Sequence, residues 1–327
     1  MSSFSSSSTT DDVLEGIDLS GRRVLITGAA TGLGRESARA MAAHGAAVTL
    51  LVRDEARATD AAREIEALVP GAQVEPGVVD LADLSSIRRF TEQFMATHDV
   101  VDVLINNAGV MACPFSQTAD GFEMQFGTNH LGHFVLTASL APVLLNSATP
   151  RVVTLSSAGH SRSDVDLGDP NFEKGDYDPW IAYGRSKTAN ALFARELARR
   201  GAGRGFTSFS VHPGGIITDL GRHLTEELIA DMSAFAKARA AASASSDDDA
   251  PAEIIWKSVE SGAATQVYAA TTRELAGHNG AYLADCGLGV LGANPGANGY
   301  LPYLEDDGNA ERLWERSEEL TGTSFEL

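Results

Sequence analysis

Lysine is nearly missing from this chain. Among 25 basic residues in 327, only Lys174, Lys187, Lys237 and Lys257 are lysines, and 44 acidic residues bring the net charge to −19. A chain this acidic repels a phosphate backbone, so no nucleic-acid partner is expected. Cysteine is scarcer still: Cys113 and Cys286 make no disulfide framework, and Cys286 has no basic neighbour in sequence to activate it. The opening stretch MSSFSSSSTTDD has neither the basic nor the apolar segment of a secretory signal. No run of about 20 apolar residues is present to span a bilayer; the best, FVLTASLAPVLL, reads as a buried helix. These absences lead us to expect a cytoplasmic protein with no membrane span.

What is present is 43% hydrophobic residues, enough for one sizeable core. Residues 1–20 are rich in Ser and Thr and read as a disordered tail. From Arg22 onward apolar strands alternate with helices: RRVLIT, AAVTLLV, AQVEPGVVD, VDVLINNAG, RVVTLSS and FTSFSVHPGG are the strands, with helical stretches between them, including a long helix over 121–145. Strands separated by helices of this length pair in parallel through right-handed crossovers. The fold class is therefore α/β, a doubly wound parallel sheet in one domain over 21–300, with ligands expected at the strand C-termini. Residues 236–251 read as a mobile loop ending in a solvated acidic run, and 301–327 as a C-terminal extension.

In TGAATGLG, Gly28, Gly32 and Gly34 follow an apolar strand and open a helix. That context suits a dinucleotide: a tight turn, close backbone approach to the pyrophosphate, and close helix–strand packing, with phosphates at the helix N-terminus. The second strand ends at Val52 and Arg53 follows. A guanidinium there matches the 2′-phosphate of NADP, while an acid would bind the ribose of NAD; the adjacent Asp54 keeps NAD possible. Asp80 ends the third strand, where a carboxylate could contact the adenine, and Asn106–Gly109 end the fourth.

Tyr183 and Lys187 stand four apart on one helical face, and Ser156 and Ser157 end a strand upstream. Hydride transfer to a carbonyl leaves an alkoxide that needs a proton. A tyrosine supplies it if a nearby ammonium favours the phenolate, since its free pKa is about 10, and a serine hydroxyl holds the developing oxyanion. His130, His133 and His160 have no metal-ligand arrangement, so no metal is expected; His133 reads as a satisfied buried histidine.

TGAATGLG, NNAG, LSSAG, YGRSK and HPGGIIT, in this order, resemble the short-chain dehydrogenase/reductase family over about residues 20–300. The resemblance implies Tyr183 as general acid/base, Lys187 as the residue that lowers its pKa and binds the nicotinamide ribose, Ser157 as the substrate-orienting serine and Asn129 as support for a proton relay. It implies cofactor contacts at Thr31, Leu33, Leu81, Asn107, Ala108, Gly109, Pro213, Gly214 and Thr218 beside those above, a substrate lid at 219–250, and a possible homo-oligomer. Ser157 and Tyr183 lie 26 positions apart, about twice the commonest family spacing. With NHLGHF and GAYLADC, that insertion resembles the retinol dehydrogenase-like branch, although no WW domain or membrane anchor accompanies it. The expected substrate is a small apolar alcohol or carbonyl compound, in a pocket that Trp180, Phe172 and Phe115 could line. Two other classes use related folds: a nucleotide-binding sensor without turnover, which needs no serine–tyrosine–lysine set, and a sugar-nucleotide epimerase, which usually has a larger C-terminal domain.

Overall fold

In the computed structural model, which describes residues 4–243 and 256–327, the alternating segments build one eight-stranded sheet. Its strands are β1 (Arg23–Thr27), β2 (Ala47–Val52), β3 (Gln73–Val78), β4 (Val103–Asn106), β5 (Arg151–Leu155), β6 (Thr207–His212), β7 (Tyr282–Ala284) and β8 (Gly287–Leu288). The order is β3-β2-β1-β4-β5-β6-β7-β8, parallel except for the final β7–β8 pair. A separate two-stranded ladder joins β9 (Val290–Leu291) to β10 (Gly299–Tyr300). From β1 the chain winds outward to β3, then returns across it to β4. The crevice for a ligand therefore opens above the C-terminal ends of β1 and β4.

The helices are α1 (Thr10–Leu14), α2 (Gly32–Ala43), α3 (Glu55–Leu68), α4 (Leu84–Met95), α5 (Met124–Phe126), α6 (Gly132–Leu145), α7 (Pro179–Gly201), α8 (Glu226–Ser243), α9 (Val259–Thr271) and α10 (Asp307–Thr321). Strand side chains alternate between two cores. Val24, Ile26, Val103 and Ile105 pack with Leu14, Met41, Ile65 and Val267, from α1, α2, α3 and α9. Leu25, Leu104 and Val152 face the opposite core, with Ile87, Phe134, Leu192 and Trp314 from α4, α6, α7 and α10. Both faces are covered, which is why the strands read as near-continuous apolar runs.

Four expectations need correction. The Ser/Thr-rich tail is ordered from residue 4: Thr9 and Asp12 form a capping box at α1, and Val13, Leu14 and Leu19 are buried in the first core. Five helical residues are too few for a periodicity to register in the sequence. The C-terminal stretch is part of the domain, since α10 buries Trp314, which stacks on Phe193 and Phe325. Of the expected mobile loop, residues 236–243 belong to α8, while 244–251 lie outside the described residues. The long helix starts at Met124 and passes through a π-turn, Gly127–Leu131, before continuing as α6.

Candidate active site

Six helices, α1, α3, α4, α7, α9 and α10, have their first-turn amides capped by a Thr, Asp or Ser side chain. At α2 the capping position, Thr31, makes no such bond. The N–H groups above the crevice are thus left for a ligand, which is what a pyrophosphate needs. Gly28 has φ +67°, and a Cβ there would lie 3.0 Å from Ala108 Cα; one on Gly34 would lie 2.6 Å from the Gly28 carbonyl oxygen. Both glycines are required by close approach. The methyl of Thr218 lies 3.3 Å from where a Gly32 Cβ would stand, so the loop after β6 covers the glycine loop.

Asn107 and Ala108 donate backbone N–H bonds to the Thr27 hydroxyl, both at 2.9 Å, and Asn107 Nδ2 donates to Thr27 O at 2.7 Å. His133 Nδ1 lies 2.8 Å from Asn129 O and Nε2 lies 2.9 Å from Thr27 Oγ1. Nδ1 must donate to the carbonyl, so Nε2 accepts the threonine proton. Burial pushes His133 down to about 4, which keeps this tautomer neutral. Thr27 and His133 thus lock β1 to β4 under the nucleotide crevice. His133 is buried and satisfied, as expected, but its pairing with Thr27 spans 106 positions and leaves no local signal in the sequence.

Arg53 is exposed just past β2 and has no ion-pair partner among the described residues. Asp54 instead accepts from Arg57 N at 3.0 Å as the cap of α3, so its carboxylate is engaged locally. Asp80 accepts from Ala82 N at 2.9 Å in a turn, and the Leu81 side chain points into the second core. Leu33 packs against the first core. Pro213 and Gly214 stand beside His212, whose Nδ1 accepts from Ala158 N at 3.2 Å and Gly214 N at 3.4 Å. That histidine ties the Ser157 turn to the loop after β6, another link hidden from the sequence.

Tyr183 is 3% exposed, and burial pushes its hydroxyl up to about 12, opposed only by a hydrogen bond with the Ser157 hydroxyl. The lowering expected from Lys187 is not present, because burial outweighs any help from the lysine, itself desolvated. Lys187, also 3% exposed, is pushed down to about 7 by burial. Its Nζ lies 5.7 Å from the Tyr183 ring centre and donates to Leu155 O at 2.9 Å. The two serines part company: Ser156 Oγ donates to Lys187 O at 2.8 Å, whereas Ser157 Oγ accepts from Gly159 N at 3.0 Å beside the tyrosine. A Cβ on Gly159 would lie 2.6 Å from Tyr183 Cε1, so only glycine fits there. Asn129 sits in the π-turn. Its Oδ1 accepts from Val110 N at 2.8 Å, and its Nδ2 donates to Val110 O and to Ser186 Oγ, both at 2.9 Å. It is a strut between the loop after β4 and α7. A Cβ on Gly109 would fall 3.2 Å from Asn129 Oδ1 and 3.6 Å from Lys187 Nζ, so this glycine keeps the gap beside the lysine open.

Ala112, Trp180 and Tyr183 form a small apolar cluster with Met111, Leu224, Leu228 and Met232. Trp180 belongs to this cluster. Phe172 and Phe115 do not; they flank Tyr177, with ring centres 5.1 and 5.3 Å away. Tyr177 donates to Cys113 O and Glu123 Oε1 at 3.0 and 3.1 Å, so the insertion braces the loop after β4 from outside. Burial of Cys286 pushes its thiol up to about 11, away from a nucleophilic role.

A model of the short chain dehydrogenase family matches residues 22–229. Mouse retinol dehydrogenase 12 is 39% identical over 312 residues, spanning 95% of this chain and 89% of that protein. A solved Mycobacterium paratuberculosis protein superposes with a TM-score of 0.74 at 36% identity, covering 98% of this chain and all of the other (100%). A Beutenbergia cavernae protein solved with bound NADP has 28% identity and a TM-score of 0.61, over 82% and 96% of the two chains.

Proposed function

Because this chain belongs to the short-chain dehydrogenase/reductase family, and so is an oxidoreductase acting on CH–OH groups, we propose that it interconverts an apolar alcohol and its aldehyde or ketone with NADP(H). The uncapped start of α2, the Gly28 and Gly34 contacts and the open gap at Gly109 fit a dinucleotide. Arg53, exposed and unpaired among the described residues, favours the 2′-phosphate of NADP over NAD. Bound NADPH supplies the hydride for reduction or, as NADP, accepts it for oxidation.

The protein's own residues handle the oxygen. Ser157 holds the carbonyl oxygen in line with Tyr183. As negative charge develops there, Tyr183 gives its hydroxyl proton to it, and Lys187, in the protonated fraction that its lowered pKa leaves near pH 7, stabilises the phenolate that remains. A tyrosine held near 12 keeps its proton until that charge appears. Asn129 fixes the spacing between Val110 and Ser186 and supports return of the proton to Tyr183. The observation that carries this reading is the buried tyrosine beside Ser157, one helical turn from Lys187, facing an apolar cluster. Tyr183→Phe is expected to abolish NADPH oxidation with a panel of aldehydes and ketones while NADPH still binds. Turnover in that variant at near wild-type rate would sink the mechanism.

A further inference from the structure

Helix α8 lies on the surface, and most of its side chains face solvent. Leu228, Asp231, Met232 and Phe235 nevertheless fall at i, i+3, i+4 and i+7, on a single face. Leu228 and Met232 from that face close the apolar cluster over Tyr183. Apart from Ala240, buried near its C-terminal end, these two side chains are the only apolar anchors the Tyr183 cluster offers this 18-residue helix, so other contacts must fix its first turns.

Arg162 supplies them. Its Nη2 lies 2.7 Å from Asp231 Oδ2 and donates to Asp231 O at 3.3 Å. Its guanidinium carbon stands 3.7 Å from the Phe235 ring centre and 5.3 Å from that of Trp180. Trp180 Nε1 adds a bond to Leu228 O at 3.3 Å. The Arg162 side chain is only 13% exposed. An exposed ion pair contributes little, but a guanidinium between two aromatic faces is partly desolvated and stacks well. Behind it, Arg162 ends the short 3-10 helix Ala158–Arg162, which Ser157 caps. A Cβ on Gly184 would fall 2.8 Å from Arg162 Cβ, so the glycine after Tyr183 is what lets this turn lie against α7.

We propose that Arg162 is a positioning residue that latches α8 to the turn bearing Ser157, and so holds Leu228 and Met232 over Tyr183 to select substrates long enough to reach them. Its kinetic part rests on the oxidoreductase reading above; its structural part does not. The test uses the full chain as wild type, Arg162→Leu and Arg162→Lys. In Arg162→Leu, hydrogen exchange in peptides over 226–243 should rise about tenfold while α9 stays unchanged, and Arg162→Lys, which keeps the ion pair but loses the stacking, should fall between. With NADPH, the KM for decanal should rise about tenfold in Arg162→Leu, with kcat and the KM for propanal held within about twofold. Unchanged exchange in α8 would overturn the latch. Raised exchange with equal KM changes for both aldehydes would overturn the role in selection. A wild-type protein inactive on both would overturn the oxidoreductase reading and the selection claim together, while the exchange data still decide the latch.

Discussion

At the scale of single residues the site sets stability against function. Lys187 is buried and pushed down to about 7, whereas an unfolded lysine titrates near 10.4. Between those values the unfolded chain binds a proton that the folded chain does not. The lysine therefore lowers stability below the upper value, most fully below pH 7, and the penalty fades as pH rises toward 10. Lys187→Met should remove it. Leu155 O would keep a donor, since Asn190 Nδ2 also reaches it at 2.8 Å. Each pH unit between the folded and unfolded values is worth about 1.4 kcal/mol. The variant is therefore expected to be several kcal/mol more stable than wild type at pH 7 and to melt higher, with the gap narrowing by pH 9.5 and turnover lost. A lower melting point at pH 7 would contradict that account. Arg53 makes a separate, functional prediction. If it holds the 2′-phosphate, Arg53→Ala loses a charge-assisted bond of roughly 1.5–3 kcal/mol, so the Kd for NADPH should rise about 10- to 100-fold while that for NADH stays put. Fluorescence titration with both nucleotides checks it, and parallel losses would remove Arg53 from the cofactor site.

At the scale of elements, the legible parts are those that carry a pattern within themselves. The alternation of six strands with helices, the glycine loop and the Tyr183/Lys187 face all follow from periodicity and spacing. The elements that mislead draw their order from distant partners. Helix α1 is five residues that persist because Val13 and Leu14 enter a core shared by the sheet with α2, α3 and α9. Helix α10 reads only as part of a C-terminal extension until Trp314 is seen between Phe193 and Phe325. In the site itself, Tyr183, Lys187 and the glycines are visible in the sequence, whereas Thr27, His133, His212 and Arg162 act across long sequence separations and are not. The contribution of α10 can be measured: Trp314 is 1% exposed, and Trp314→Ala should cost about 3–5 kcal/mol, read as a lower denaturation midpoint at an unchanged m-value. A loss below about 1 kcal/mol would mean that α10 is dispensable to the core after all.

At the scale of the whole molecule, four buried histidines link the fold to pH. Burial pushes His130 and His212 down to about 3, and His133 and His160 down to about 4. An unfolded histidine titrates near 6.5. The stability these neutral rings support is present above pH 6.5 and is lost as pH falls toward 4, because only the unfolded chain takes up the protons. Each adds up to about 1.4 kcal/mol per pH unit. Four acting together between pH 6.5 and 5 would remove a large share of a typical margin of about 5–15 kcal/mol. The net charge of −19 pulls the other way, since acid relieves repulsion among 44 carboxyl groups. Those groups, however, take up most of their protons near pH 4 and below, so histidine governs the window from 6.5 to 5. Thermal melts should therefore fall by more than about 10 °C between pH 7 and 5. His130→Leu offers the discriminating control. Its Nδ1 has no hydrogen-bond partner, and Ser317, which meets its Nε2 at 2.8 Å, also donates to Leu313 O at 2.7 Å. Removing the ring leaves that serine satisfied and takes away one of the four titrations, so the slope of melting temperature against pH should flatten by about a quarter. A melting temperature that holds constant from pH 7 to 5 would mean that these rings are protonated within the folded protein.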